Sequence, residues 1–136
     1  MTHAITITLT IPGKPFAKQR PRFSRKTGSA YTPAATVSFE RQVGIIAYQS
    51  ILAPLVGPVR VHIAATFAPA KSWSKKKIAE HLHRPHLQKP DLDNVAKAIL
   101  DGLNRIAFAD DAQVFEFSAR KVWGITEQTI ITVESM

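Results

Sequence analysis

The sequence predicts an α+β fold, in which a single small domain spanning residues 1–136 has a mixed β-sheet packed against helices. Three observations predict it. Apolar residues alternate with polar ones near both ends of the chain, as in half-buried strands. Between these segments apolar residues recur at helical spacing. Neither a linker nor an internal repeat divides the chain, and 136 residues is the usual size of one domain.

The first half of the chain predicts two strands separated by a loop and a helix. Apolar residues alternate with threonine from 5 to 11, and Pro12-Gly13 ends this strand. The basic stretch that follows has no apolar periodicity and predicts an exposed loop. Thr32-Pro33 is typical of an N-cap followed by proline at the first helical position, so a helix is expected from about Ala34 to Leu52. Val59–Phe67 predicts the second strand.

The second half predicts two helices and two closing strands. A short basic helix is expected at 71–82, capped by Ser72 or Ser74, and a polar loop at 81–90. A second helix is expected directly after Pro90. Its predicted core-facing residues are Val95, Ile99, Gly102 or Leu103, and Ile106, and its predicted polar face carries Asp93, Lys97 and Asp101. The closing strands are Gln113 to Trp123 and Gln128 to Val133, with a turn at Gly124.

The charges of the chain are segregated along the sequence. The formal net charge is +8, from 18 Lys and Arg against 10 Asp and Glu. Six basic residues and no acid lie between Lys14 and Lys26, whereas five of the ten acids lie between 91 and 111. A basic excess of this kind favours a polyanionic partner, because Lys and Arg release counterions from a phosphate backbone. Segregation indicates a binding surface around an acidic pocket.

The composition excludes several classes of protein. The chain has no cysteine, which excludes disulfides, zinc fingers and thiol nucleophiles. No apolar run is long enough to cross a bilayer, and the N-terminal segment lacks the continuous apolar region of a signal peptide. We therefore expect a soluble, cytoplasmic protein without a membrane partner.

The most informative segment contains Asp91, Asp93 and Lys97, followed by Asp110-Asp111. Two carboxylates in a loop that enters a helix can turn toward a common point, and a third could join from the start of the next strand. Carboxylate oxygens are ligands that Mg²⁺ prefers, together with waters and phosphate oxygens. A magnesium ion would supply a hydroxide-like nucleophile, and Lys97 could stabilise the developing oxyanion.

Structural explanations of the same residues stay open. Asp91 or Asp93 could be an ordinary N-cap, since aspartate is favoured at helix starts. Asp93 and Lys97 could form a surface ion pair one helical turn apart. Asp110-Asp111 could simply form a turn.

These residues also resemble a known family. Lys89-Pro90-Asp91-Leu92-Asp93-Asn94, then Lys97 and Asp101, then Asp110-Asp111-Ala112-Gln113-Val114, are similar to the signature of RusA-type endodeoxyribonucleases. The front of the chain resembles the phage and prophage branch of that family through 11–15, Lys18, 20–23 and 31–33. Together these segments cover most of the chain.

The resemblance implies a homodimer that binds four-way (Holliday) DNA junctions and cuts two strands symmetrically with Mg²⁺ or Mn²⁺, in recombination and repair. It also implies a set of site residues. The metal ligands would be Asp91, Asp93 and Asp111, with the choice between Asp110 and Asp111 left open, and Lys97 would be catalytic. Basic residues would flank this site and bind DNA: Lys14, Lys18, Arg20, Arg22 and Lys89. The alternatives are a nuclease for other branched DNA and a non-catalytic DNA-binding module.

Overall fold

The computed structural model describes residues 4–136 and confirms a mixed sheet packed against helices. The strands are β1 (Thr6–Pro12), β2 (Arg22–Phe23), β3 (Ala30–Tyr31), β4 (Val59–Phe67), β5 (Val114–Trp123) and β6 (Gln128–Ser135). The helices are α1 (Ala34–Ser50), α2 (Lys75–His81) and α3 (Leu92–Leu103), and a 3₁₀ helix spans Asp111–Gln113. No helix within the described residues is long and apolar enough to cross a membrane.

The main sheet has four strands in the order β1-β6-β4-β5. β6 pairs antiparallel with both β1 and β4, whereas β4 and β5 are parallel. A parallel pair needs a crossover connection, and the segment that contains α2 and α3 supplies it. The chain therefore leaves the C-terminal end of β4, returns along α3 and starts β5 beside the beginning of β4. The two ends of α3 consequently lie near opposite ends of these strands.

The core lies between one face of the sheet and the helices α1 and α3. The inward residues of β4 are all buried: Val59, Val61, Ile63, Ala65 and Phe67. Val95, Ile99, Gly102 and Leu103 of α3 are buried as predicted, while Ile106, beyond the helix, is only half-buried. A Cβ atom on Gly102 would lie 2.7 Å from the Cβ atom of Val43, so the missing side chain lets α1 and α3 approach closely.

Several predicted boundaries were wrong by a few residues. α1 begins after Pro33, which occupies the N-cap position expected for Thr32, and ends at Ser50 because Ile51 is extended. α2 begins at Lys75 and not at 71, and Ser74, one of the two predicted caps, accepts a hydrogen bond from the Lys77 N–H at 3.1 Å.

The basic segment, residues 14–31, is more ordered than the loop predicted there. Its residues 22–31 form the β2–β3 hairpin, in which Arg22 pairs with Tyr31 and Phe23 with Ala30. Gly28 has a φ of 69° in the turn, a left-handed conformation that favours glycine. The hairpin holds Arg22 on a defined, exposed scaffold.

Candidate active site

Asp91 and Asp93 lie at the N-terminal end of α3, as the sequence predicts. Asp91 occupies the N-cap position, but its side chain accepts no hydrogen bond from the described backbone of the first turn. Its Oδ1 atom accepts instead from Lys89 Nζ at 2.8 Å. This hydrogen bond and the charge of Lys89 lower the pKa of Asp91, so its carboxylate is ionised at neutral pH. Because the side chain of Asp91 makes no capping hydrogen bond, capping does not explain an aspartate at this position. Asp93 is exposed in the first turn of the helix.

Lys121 holds the loop that leads into Asp91. Its Nζ donates to the carbonyl oxygens of Gln88 at 2.7 Å and Pro90 at 2.6 Å. Sequence analysis missed this residue. A signal was present in the sequence, because Lys121 follows Phe117 and Ala119 at period two and so shares their face of β5. In the structure Lys121 pairs with the buried Ala65, which places the lysine on the inward side of the strand. Lys121 is thus a positioning residue for the start of α3.

Asp110 and Asp111 have different roles at the start of β5. Asp110 caps the 3₁₀ helix: its Oδ1 accepts from the Ala112 N–H at 3.2 Å, and its own N–H donates to Gln113 Oε1 at 3.0 Å. The Asp111 N–H donates to Asn104 Oδ1 at 3.1 Å, which attaches this turn to the C-terminal end of α3. The carboxylate of Asp110 is engaged in capping, so Asp111 is the better candidate ligand.

The charge around Asp111 is mixed. Hydrogen bonding with Asp110, burial and the Asp110 charge raise the pKa of Asp111, while the charge of Lys97 opposes this rise. Lys97 is exposed on the polar face of α3, as predicted, but its ion-pair partner is Asp101 at 3.3 Å and not Asp93. The positive charge of Lys97 thus acts on two aspartates, on Asp101 through the ion pair and on Asp111 through its effect on the pKa.

Lys18 joins the basic segment to α1 and α3. Its backbone N–H donates to the Asn94 carbonyl oxygen at 2.9 Å, next to Asp93. Its side chain forms ion pairs with Asp101 and, at 3.2 Å, with Glu40, and the hydrogen bond with Asp101 raises its pKa. A phosphate would have to compete with both carboxylates for Lys18. Lys14, Arg20, Arg22 and Lys89 are exposed and remain candidates for DNA contact.

The carboxylates suit Mg²⁺ in chemistry, but one chain does not bring all three together. Within residues 4–136, no group of three potential metal-binding side chains lies close enough to hold an ion. α3 separates Asp93 from Asn104, which holds Asp111, by about 16 Å of helical rise. Oxygens on one Mg²⁺ lie within about 4 Å of each other. Asp91 and Asp93 alone suit the ion, because Mg²⁺ needs only one or two carboxylates when waters and phosphate oxygens complete its shell.

Comparisons with known proteins identify the family of the chain. The family model described as "Endodeoxyribonuclease RusA" matches residues 12–134, nearly the whole chain. A protein of Bacillus subtilis (strain 168) named "Uncharacterized protein YqaN" is 34% identical over 125 residues, which cover 86% of this chain and 87% of that protein. The matched range includes every predicted site residue.

Proposed function

Because this chain belongs to the RusA family of endodeoxyribonucleases, we propose that it is a metal-dependent nuclease that resolves four-way DNA junctions by paired, symmetric strand cleavage. We place this activity in DNA recombination and repair in the cytoplasm. One structural observation carries the proposal: the N-terminal turn of α3 presents two exposed aspartates next to a basic segment. A pure DNA-binding module would lose affinity from such carboxylates beside phosphate.

Each residue has a proposed role in this reaction. Asp91 and Asp93 hold Mg²⁺, or Mn²⁺ in its place, which when bound supplies an activated water and neutralises charge on the phosphate. Lys97 donates to a non-bridging phosphate oxygen as negative charge develops on it. Arg20, Arg22 and Lys14 hold the backbone on either side. Lys89 balances the charge of Asp91 until DNA and metal arrive.

The role of Asp111 leads to the proposed homodimer. Since α3 keeps Asp111 away from Asp91 and Asp93 of the same chain, Asp111 can complete their site only from a second copy. A symmetric dimer would then contain two equivalent composite sites, which suits the two symmetric cuts of a four-way junction. This arrangement explains why three candidate ligands are dispersed in one chain.

Cleavage of a synthetic four-way junction tests the function. We expect paired, symmetric incisions with Mg²⁺ and intact strands with chelator. Asp91→Asn and Asp93→Asn should abolish the incisions while junction binding is kept or strengthened, because a negative charge near phosphate is lost. Junction binding without incision in either Mg²⁺ or Mn²⁺ would identify a binding module. Incision of flaps or forks in preference to junctions would assign a different branched substrate.

A further inference from the structure

A cavity lies beside Lys89, where β4 and β5 end. Its volume is about 460 Å³, which falls in the range of ligand pockets, about 300–1,000 Å³. Three aromatic side chains line it: Phe67, Trp73 and Trp123. Three lysines also line it: Lys14, Lys77 and Lys89. None of the aromatic residues belongs to the carboxylate site described above.

His86 adds a buried polar group to this cavity. The residue is only 5% exposed, and its ring stacks on Phe67 with a centroid distance of 4.0 Å. Among residues 4–136, its Nδ1 atom has no hydrogen-bond partner. Burial and the nearby charge of Lys121 lower the pKa of His86, so the neutral ring offers one donor and one acceptor. A buried polar atom without a partner is unfavourable, which indicates that a ligand atom completes it.

The charged residues that line the cavity indicate which kind of ligand fits it. Lys77 Nζ lies 4.2 Å from the ring centroid of Trp73, so a cation and an aromatic face meet in the cavity wall. Glu127 lines the cavity as well, and its Oε2 accepts from the Ala68 N–H at 3.3 Å. Its negative charge disfavours a free phosphate throughout the cavity. A flat neutral group inside, with one phosphate at the lysines, fits these charges better.

We propose that this cavity binds one unstacked nucleobase of the DNA strand, with the attached phosphate at Lys14, Lys77 and Lys89. Trp73, which is only half-buried, stacks on the base, as aromatic residues do in proteins that bind single strands, while the buried Phe67 and Trp123 form the wall of the cavity behind it. His86 forms a hydrogen bond with the base edge. This proposal rests on the proposed function, because it takes DNA as the substrate. Lys89 contacts Asp91 at 2.8 Å, so the bound nucleotide would lie next to the candidate carboxylates.

Tryptophan fluorescence tests this proposal without cleavage. The chain contains two tryptophans, and both line this cavity. In chelator, a short single-stranded oligodeoxynucleotide should quench their emission in a saturable way. An abasic oligonucleotide of the same length and charge should bind more weakly and quench little. Equal quenching by the two strands, or binding of the normal strand without quenching, would overturn the proposal.

A pair of variants locates the effect. Trp73→Leu keeps an apolar side chain but removes the stacking face, so affinity for the normal strand should fall at least about fivefold while affinity for the abasic strand hardly changes. Tyr48→Leu removes an exposed aromatic residue of α1 outside the cavity and should change neither affinity. Equal losses in both variants would overturn the proposal. If Trp73→Leu fails to fold, the wild-type comparison of the two strands still decides.

The outcomes also separate this proposal from the nuclease function. A protein that cuts junctions but quenches equally with both strands would keep its function and lose the base pocket. A protein that quenches only with the normal strand and never cuts DNA would keep the pocket and lose the nuclease assignment.

Discussion

Lys97 has two possible roles at the residue level. As a surface partner of Asp101, it would contribute only about 0.2–0.5 kcal/mol to stability. As the donor to a developing oxyanion, its loss would reduce turnover about 10²–10³-fold. We expect Lys97→Ala to lose single-turnover cleavage of a bound junction by that factor, with the melting temperature and DNA affinity of the wild type. Lys76 is an exposed lysine on α2, and the control Lys76→Ala should cleave at the wild-type rate. A cleavage rate of Lys97→Ala within a few-fold of the wild-type rate would show that Lys97 is only a surface residue.

Asp110 and Asp111 should separate capping from metal binding. Asparagine caps a helix about as well as aspartate, so Asp110→Asn should keep both stability and cleavage. Asp111→Asn should keep the melting temperature and lose cleavage, because it removes a proposed ligand without touching the cap. Thermal melts and junction cleavage of the two variants make the comparison. If Asp110→Asn lost cleavage and Asp111→Asn kept it, Asp110 would be the metal ligand and Asp111 would not.

The contact between α1 and α3 depends on a missing side chain at the element level. In Gly102→Ala, the new Cβ would lie 2.7 Å from Val43 Cβ and 3.2 Å from the Glu40 carbonyl oxygen, so the helices must move apart. Overpacking of this kind costs about 1–3 kcal/mol, of which alanine's helix propensity recovers up to about 1 kcal/mol. We expect a lower free energy of unfolding in denaturant titrations. The control Gln49→Ala, on the exposed face of α1, should have a free energy of unfolding within about 0.5 kcal/mol of the wild-type value. If Gly102→Ala were as stable as the wild type, α1 would be able to move away from α3 without loss of stability.

The basic segment should act on DNA through charge. Neutralising Arg20 and Arg22 to glutamine should reduce the slope of log affinity against log salt by about 1.8, which is about 0.9 for each lost phosphate contact on duplex DNA. Binding titrations over a range of salt concentrations measure this slope. Arg41→Gln with Arg120→Gln removes the same charge from exposed positions outside the segment and should leave the slope unchanged. If both double variants reduced the slope equally, Arg20 and Arg22 would act only through the net charge of the protein and not through phosphate contacts.

At the scale of the whole molecule, mixing two inactive variants tests the composite site. In a heterodimer of Asp91→Asn and Asp111→Asn chains, one site carries both substitutions and the other carries neither. We therefore expect each variant alone to be inactive and the mixture to nick a single strand of the junction. Subunit exchange is checked by co-purification of differently tagged chains. Exchange without recovered nicking would mean that each site takes its aspartates from one chain.

Local patterns predicted much of this architecture. The helical spacing of Val95, Ile99 and Leu103 correctly placed Lys97 on the opposite, exposed face of α3. Period two correctly placed the strands, but the two-residue strands β2 and β3 are too short to show any period. The distance between Asp91 and Asp111 could not be predicted, because it depends on the parallel pairing of β4 with β5, which is a nonlocal property. His86 and Trp73 were missed for the same reason, since they meet only through the sheet.

The positions of Asp91 and Asp111, near opposite ends of α3, have a consequence for how cleavage depends on the amount of protein in a cell. If each site needs aspartates from two copies, the rate of cutting rises with the square of chain concentration below the dissociation constant of the dimer and linearly above it. A cell that holds few copies would carry chains that are harmless to its chromosome. Synthesis of many copies within a short time would switch the activity on steeply, without any inhibitor or modifying enzyme.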